Sequence, residues 1–229
     1  MLRTAWEQLS KLLNAIANWK YFKPVVFIGC AVPAVLLLWK TFLPSPFVDA
    51  TIGGLGTDPL KTLLHETGED GLGVLLATLA ITPIRRLFKV NGIQKVRRMV
   101  GVWSFFYAFC HVTIYLTLDQ LCYSLQTCEF RAIVDDVLKR KFIFMGLISF
   151  SIMALLAITS TTGWVRRLKK KWQTLHRLVY VAGISGVIHF IWIQKSDISE
   201  PLIWAGWLTF FLLVRVYLSI EKRRNRRPA

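Results

Sequence analysis

The chain carries four histidines, at positions 65, 111, 176 and 189. Two of them stand in the apolar run WQTLHRLVYVAGISGVIHFIWI at 172–193, with Gly183 and Gly186 between them. An ionisable side chain is costly in hydrocarbon, so a histidine inside such a run is a candidate functional group. Neutral imidazole is a good ligand for transition metals and for haem iron. Small neighbours leave room for a flat macrocycle to lie against the backbone, as they let helices approach closely. The chemistry these residues point to is haem ligation. His176 and His189 are 13 residues apart, about 20 Å along a helix, which puts them near opposite faces of a hydrocarbon core about 30 Å thick. On an ideal helix they point about 140° apart. Sharing one face requires a bend or local rewinding, expected at Gly183 and Gly186.

The elements that must position these residues follow from hydropathy. Of 229 residues, 54% are hydrophobic and only 18% charged, and the mean hydropathy is +0.47. A soluble domain would carry fewer apolar residues and more charge. The apolar residues also fall in blocks about as long as a bilayer-crossing helix. The fold class expected is all-α: a polytopic membrane protein with six transmembrane helices. The spans are Pro24–Leu43, a long helix Pro59–Ile84 opened by Asp58 as N-cap with Pro59 in its first turn, Met99–Leu118, Phe142–Thr162, the run 172–193, and Pro201–Ile220. Residues 1–23 read as an amphipathic cytoplasmic segment on the membrane surface, 24–220 as one transmembrane domain, and 221–229 as a basic cytoplasmic tail. The glycines of 53–56 mark a turn, and a short helix is expected at Phe130–Arg140.

A net charge of +16 suggests nucleic acid at first sight. Its distribution says otherwise. Six spans put both termini on one side. The segments on that side, including Arg177 and Arg215, hold 22 of the 29 Lys and Arg, whereas 11 of the 13 acidic residues fall on the other. This is the positive-inside bias, and it places both termini in the cytoplasm. Arg215 is expected to snorkel toward the tail. Trp103, Trp172, Trp192 and Trp204 lie near span ends, as interface anchors do. No CxxC or CxxCH is present, which removes support for a zinc site or a covalently attached haem. Cys122 and Cys128 share an outer loop, where a disulfide and two free thiols are both open.

Depth selects the ligand pair. His111 is 12 residues into its span and His189 about 16 into its own, both counted from the cytoplasmic side, so they reach about 18 and 24 Å. Within the uncertainty of span ends they share one level in the outer half, where they can hold one b-type haem from opposite sides. His176 sits at the inner boundary as an orphan, open to a second haem or to an interfacial role. At its level stand Arg97 and Arg98, which suit haem propionates because guanidinium binds carboxylates bidentately. His65 lies at the outer end of its helix, on the wrong side for His176. Glu69 and Asp70 read as solvated or cavity-facing.

Four stretches together resemble the MsrQ (YedZ) family. They are GGLGTDPLKTLLHETG (53–68), LLATLAITPIRRL (75–87), VRRMVGVWSFFYAFCHVTIYL (96–116) and AITSTTGWVRRLKKKWQTLHRLVYVAGISGVIHFIW (157–192). The likeness covers about residues 50–219. That family belongs to the ferric-reductase-like transmembrane group. The resemblance implies a bacterial inner-membrane haem b protein that passes electrons to MsrP, a periplasmic molybdoenzyme reducing methionine sulfoxide in oxidised proteins. It further implies quinol or a cytosolic flavin reductase as donor, FMN as a second cofactor without any motif to locate it, and His111, His176 and His189 as the haem histidines. No Rossmann-like GxGxxG follows the last span, so electrons are expected from another molecule. The acidic outer loops suit a docking partner.

The reading is then an electron-transfer subunit of an oxidoreductase, not itself the sulfoxide-reducing catalyst. Two alternatives stand beside it. One is a stand-alone transmembrane ferric reductase with the same haem. The other is a transporter or proton channel without haem, using the histidines and Glu69/Asp70.

Overall fold

The computed structural model describes residues 2–42, 55, 58–121, 134, 137–194 and 197–225. The glycines of 53–56, Cys122 and Cys128, and most of the helix expected at Phe130–Arg140 lie outside the described residues. Among those described, the chain is entirely helical and contains no strand. Nine α-helices are seen: α1 (Leu2–Asn18), α2 (Phe22–Phe42), α3 (Pro59–Leu87), α4 (Arg97–Ile114), α5 (Lys141–Ile158), α6 (Thr162–Leu168), α7 (Lys170–Leu175), α8 (Val179–Ile193) and α9 (Ser199–Arg224).

Among the described residues, five helical stretches are long and apolar enough to cross a membrane: Phe22–Phe42, Arg97–Leu118, Lys141–Ile158, Lys170–Ile193 and Ser199–Lys222. α3 is not among them, although its 29 residues span about 43 Å. Charge at Glu66, Glu69, Asp70, Arg85 and Arg86 crowds its apolar stretch from both sides. Its packing explains how it tolerates this. Leu72, Leu75, Leu76 and Leu79 of α3 form the middle of the core, with Met153 of α5, Val179, Ala182 and Val187 of α8, and Leu208 of α9 around them. α3 is shielded by other helices, while its neighbours turn Phe109, Leu147, Ile184 and Leu213 outward, as lipid-facing helices do.

The N-terminal end of α3 is set as the sequence leads one to expect, whereas the helix runs on past Ile84 to Leu87. Asp58 caps it, its Oδ1 accepting from the Lys61 N–H at 3.1 Å, and Pro59 opens the first turn. α3 and α4 form one antiparallel hairpin, and α5 and α8 form another. α9 packs against α3 and α8, and α2 against α3 and α4. α2 carries Pro33 in its interior. The Tyr107 hydroxyl from α4 inserts beside that proline, donating to Cys30 O at 2.7 Å and accepting from the Ala34 N–H at 3.1 Å. It bridges two backbone groups one turn apart in the stretch a proline loosens.

α1 is tied to the bundle. It docks on the connection between α3 and α4. Ser10 Oγ donates to Phe88 O at 2.7 Å, Asn14 Nδ2 to Lys89 O at 3.0 Å, and Trp6 stacks on Phe88. Lys89 has φ of 57°, so this connection is tightly turned. Its exposed face still carries Leu9, Leu12 and Ile16, in keeping with an amphipathic segment.

Two local expectations are corrected. The fourth span ends at Ile158 rather than Thr162, and the next segment is the separate short helix α6. The rewinding expected at Gly183 and Gly186 occurs instead at His176–Leu178, a 3-10 turn between α7 and α8. A 3-10 turn advances more per residue than α-helix, and so re-aims His176 relative to His189. The two glycines serve packing: a Cβ on Gly183 would stand 3.3 Å from Leu208, and one on Gly186 would stand 3.3 Å from Ser149 Oγ.

Candidate functional site

His111 is near the C-terminal end of α4 and His189 near that of α8. Both helices place their histidines at the same end of the bundle. The two imidazoles face one another with ring centroids 6.1 Å apart and planes at 90°. Each ring is anchored through one nitrogen. His111 Nδ1 lies 2.9 Å from Leu64 O on α3, and His189 Nδ1 lies 2.7 Å from Phe142 O on α5. A carbonyl can only accept, so each Nδ1 carries the proton and donates. In a neutral imidazole that leaves Nε2 with its lone pair free. This is the tautomer a metal needs, with the carbonyl partner fixing ring orientation. Thr67 Oγ1 is a further neighbour of His111 Nδ1 at 3.4 Å.

These observations bear on whether a haem fits. An imidazole nitrogen sits about 2 Å from a bound metal, so two rings on one metal have centroids on the order of 6 Å apart. The separation and the two free Nε2 atoms both suit a shared iron. α4 and α8 come from different hairpins and pack on α3 and α5 respectively.

His176 is elsewhere, at the other end of the bundle. Its ring lies against Trp172, centroids 3.8 Å apart, and its Nδ1 is buried without a hydrogen-bond partner. Arg97 and Arg98 are near enough to act on it electrostatically. His176, Arg97 and Arg98 thus share one neighbourhood.

The same region holds residues the sequence reading did not assign. Arg215 does not snorkel toward the tail. It turns into the bundle, Nη1 donating to the Tyr180 hydroxyl at 2.6 Å and Nε to Leu79 O at 3.2 Å. Tyr180 and the Leu79 carbonyl offer it acceptors inside the bundle, which outweighs the reach toward water. Arg97 feels the charges of both Arg215 and Arg85. Arg85 Nε, like His176 Nδ1, is buried and unpaired. Clustered guanidiniums with an orphaned donor suit an anionic group such as a carboxylate or phosphate. The signal available in the sequence was the position of Arg215 five residues inside the span Pro201–Ile220, further from the end than a snorkelling arginine needs to be. A groove of about 940 Å³ opens nearby between α2 and α4, lined in part by Lys23, Lys95, Arg98, Phe27 and Trp103.

His65 stands at the same end of the bundle as His111 and His189, its ring 5.8 Å from Phe190, but its polar partners are acidic side chains. Its Nε2 lies 3.8 Å from Glu69 and 3.5 Å from Glu200, which comes from the first turn of α9. One ligand atom of each lies within 4.8 Å of the others, a spacing that suits a shared cation. Glu69 is therefore engaged with His65 and Glu200, and its neighbour Glu66 pairs with Lys40 of α2 at 2.8 Å. Trp103 packs edge-on against Phe27 of α2.

The residues from Gly71 to Val187, which include His111 and His176 and end two before His189, match the model of the ferric reductase like transmembrane component family. The chain is similar over most of its length to proteins named protein-methionine-sulfoxide reductase heme-binding subunit MsrQ. It is 41% identical to the one from Xanthomonas euvesicatoria over 206 residues, 89% of each chain. It is 44% identical to that of Xanthomonas campestris over 203 residues, again 89% of each. With the protein from Rhodospirillum rubrum the identity is 41%, over 88% of this chain and 90% of the other. On this extent of similarity, together with the family match across its core helices, the chain belongs to the MsrQ family within the ferric-reductase-like transmembrane group.

Proposed function

We propose that this protein is the haem b-carrying membrane subunit of a methionine sulfoxide reductase system, with His111 and His189 as axial ligands of one iron. The observation that carries this reading is the pair of imidazoles 6.1 Å apart, each with Nδ1 on a main-chain carbonyl. Bound there, a haem supplies reversible one-electron chemistry. The chain's own part is to hold both rings in the Nδ1–H tautomer.

α3 is the sixth crossing, supported by its length and central position. Both termini then face the cytoplasm, as the basic loops indicate. Of the two bundle ends, that of His176 is inner and that of His111 and His189 outer, and electrons move outward. At the inner end Arg97 and Arg98, joined by Arg85 and Arg215, hold an anionic group. This is a haem propionate or the phosphate of FMN, and His176 is open as the ligand of a second haem. Quinol or a cytosolic flavin reductase delivers electrons at this end. At the outer end a periplasmic partner, MsrP, receives them to repair oxidised proteins. The inner membrane of a bacterium is the location that fits this arrangement.

The test is a reduced-minus-oxidised spectrum with haem quantification on purified wild type and on the four single His→Ala variants. His111→Ala and His189→Ala lose the haem they share, and His65→Ala keeps it. Full haem in both His111→Ala and His189→Ala overturns the pairing. One observation favours a second reading, partner-free reduction of a chelated metal: the His65, Glu69 and Glu200 ligand set at the outer end. Fe(III)-chelate reduction by the purified, pre-reduced protein alone, abolished by Glu200→Gln, would establish it.

A further inference from the structure

The two hairpins make the same contacts, displaced by 78 residues. His111 reaches Leu64 O, and His189 reaches Phe142 O (64 to 142, 111 to 189). A Cβ on Gly68 would lie 3.2 Å from His111 Nδ1, and one on Gly146 would lie 2.8 Å from His189 Nδ1 (68 to 146). Ser104 Oγ donates to Gly71 O at 2.8 Å, and Ser149 Oγ donates to Ala182 O at 2.8 Å. Those are again equivalent positions, 71 with 104 and 149 with 182, but the serine has changed helices. The close approach between Gly71 and the Ala108 N–H is repeated between Ser149 and Gly186, with the glycine likewise changed over.

Packing between the hairpins agrees. α4 touches α5 and α3 touches α8, and exchanging the hairpins turns one contact into the other. The sequence keeps an echo. AITPIRRL at 80–87 closes the first descending helix, and AITSTTGWVRRL at 157–168, four residues longer, follows the second. An ordinary antiparallel hairpin has some regular register. It has no reason to put a carbonyl, a glycine and a histidine at one common offset in both copies.

We infer that α3–α4 and α5–α8 are two copies of one histidine-seating hairpin, and that Gly68 and Gly146 are positioning residues for His111 and His189. The physical reason lies in helix geometry. The carbonyl of residue i points toward residue i+4, whose Cβ flanks it. Glycine at that place, Gly68 after Leu64 and Gly146 after Phe142, uncovers the carbonyl so that an imidazole from the neighbouring helix can reach it. The same carbonyl then fixes the tautomer. The two ligands are thereby presented as equivalents about a local two-fold axis that runs between them. The role of the seated rings as iron ligands rests on the proposed function; the seats themselves do not.

The test therefore begins without haem. In ¹⁵N-histidine-labelled apoprotein, His111 and His189 are both expected as the Nδ1–H tautomer, assigned with the His→Ala variants. Gly146→Ala should displace the His189 signals and Gly68→Ala the His111 signals. The larger change is expected at Gly146, where the added methyl comes closer. Gly71→Ala serves as the control. It strains the same helix seam, against Tyr107 and Ala108, and should lower stability while leaving both tautomers intact. In the haem-loaded protein, Gly146→Ala and Gly68→Ala should keep a low-spin spectrum with shifted g values, and Gly71→Ala should not shift them. An Nε2–H tautomer for either histidine in wild type overturns the inference even if no glycine variant folds. So do folded Gly68→Ala and Gly146→Ala proteins with unchanged signals. Haem that binds normally alongside such a result leaves the proposed function standing, whereas correct tautomers in a wild type that takes up no haem sink that function and leave the seats.

Discussion

Single side chains decide more here than bulk hydrophobicity does. Tyr107 is 1% exposed, and its hydroxyl is the link between α4 and the proline-bearing turn of α2. Tyr107→Phe keeps the ring and strands two backbone groups. A buried group left unsatisfied costs about 1–3 kcal/mol, so a lower thermal midpoint in detergent is expected, with haem content unchanged because the hydroxyl does not touch either histidine. Loss of haem in that variant would show that α2 helps to shape the site. At this scale the sequence was readable where an atom's chemistry is self-contained. The meeting of the His111 and His189 rings and the Asp58 cap follow from residue type and position. Arg215 did not, because its partners are a carbonyl and a phenol 136 and 35 positions away, and no local pattern announces them.

For the elements, charge and proline gave boundaries to within a few residues, but docking was hidden. α1 reads as a membrane-surface helix from its periodicity, yet it is tied to the turn between α3 and α4. The close contact is at Gly92, where a Cβ would stand 2.7 Å from Ala17 O. Gly92→Ala should release α1. The measurable outcome is faster proteolysis within residues 2–18 of the purified protein, with the histidine pair unaffected. Unchanged cleavage would mean that the loop yields instead. The rewinding at His176–Leu178 was misplaced for a related reason. Glycines permit distortion, but a helix bends where packing demands it, and here Gly183 and Gly186 were already committed to close contacts with Leu208 and Ser149.

On the scale of the whole molecule, apolar blocks and basic loops were enough to reveal an all-helical membrane bundle. They were not enough to show the repetition inferred above, in which a few matching residues, Gly68 with Gly146 and His111 with His189, stand out only once their contacts are seen. The bundle also hides its least lipid-compatible member. α3, with four ionisable groups from His65 to Asp70 and two arginines at its far end, survives because its neighbours surround it. This has a bearing on biogenesis. Such a helix gains little by leaving the insertion machinery alone, since the uncharged stretch between Asp70 and Arg85 is 14 residues, short of the about 20 that a bilayer crossing needs, and it should be released only together with α4 as a preassembled pair. A reporter fused after Leu87 should then partition between both sides of the membrane, whereas the same reporter fused after Leu118 or after Asn225 should report one side each, outer and inner respectively.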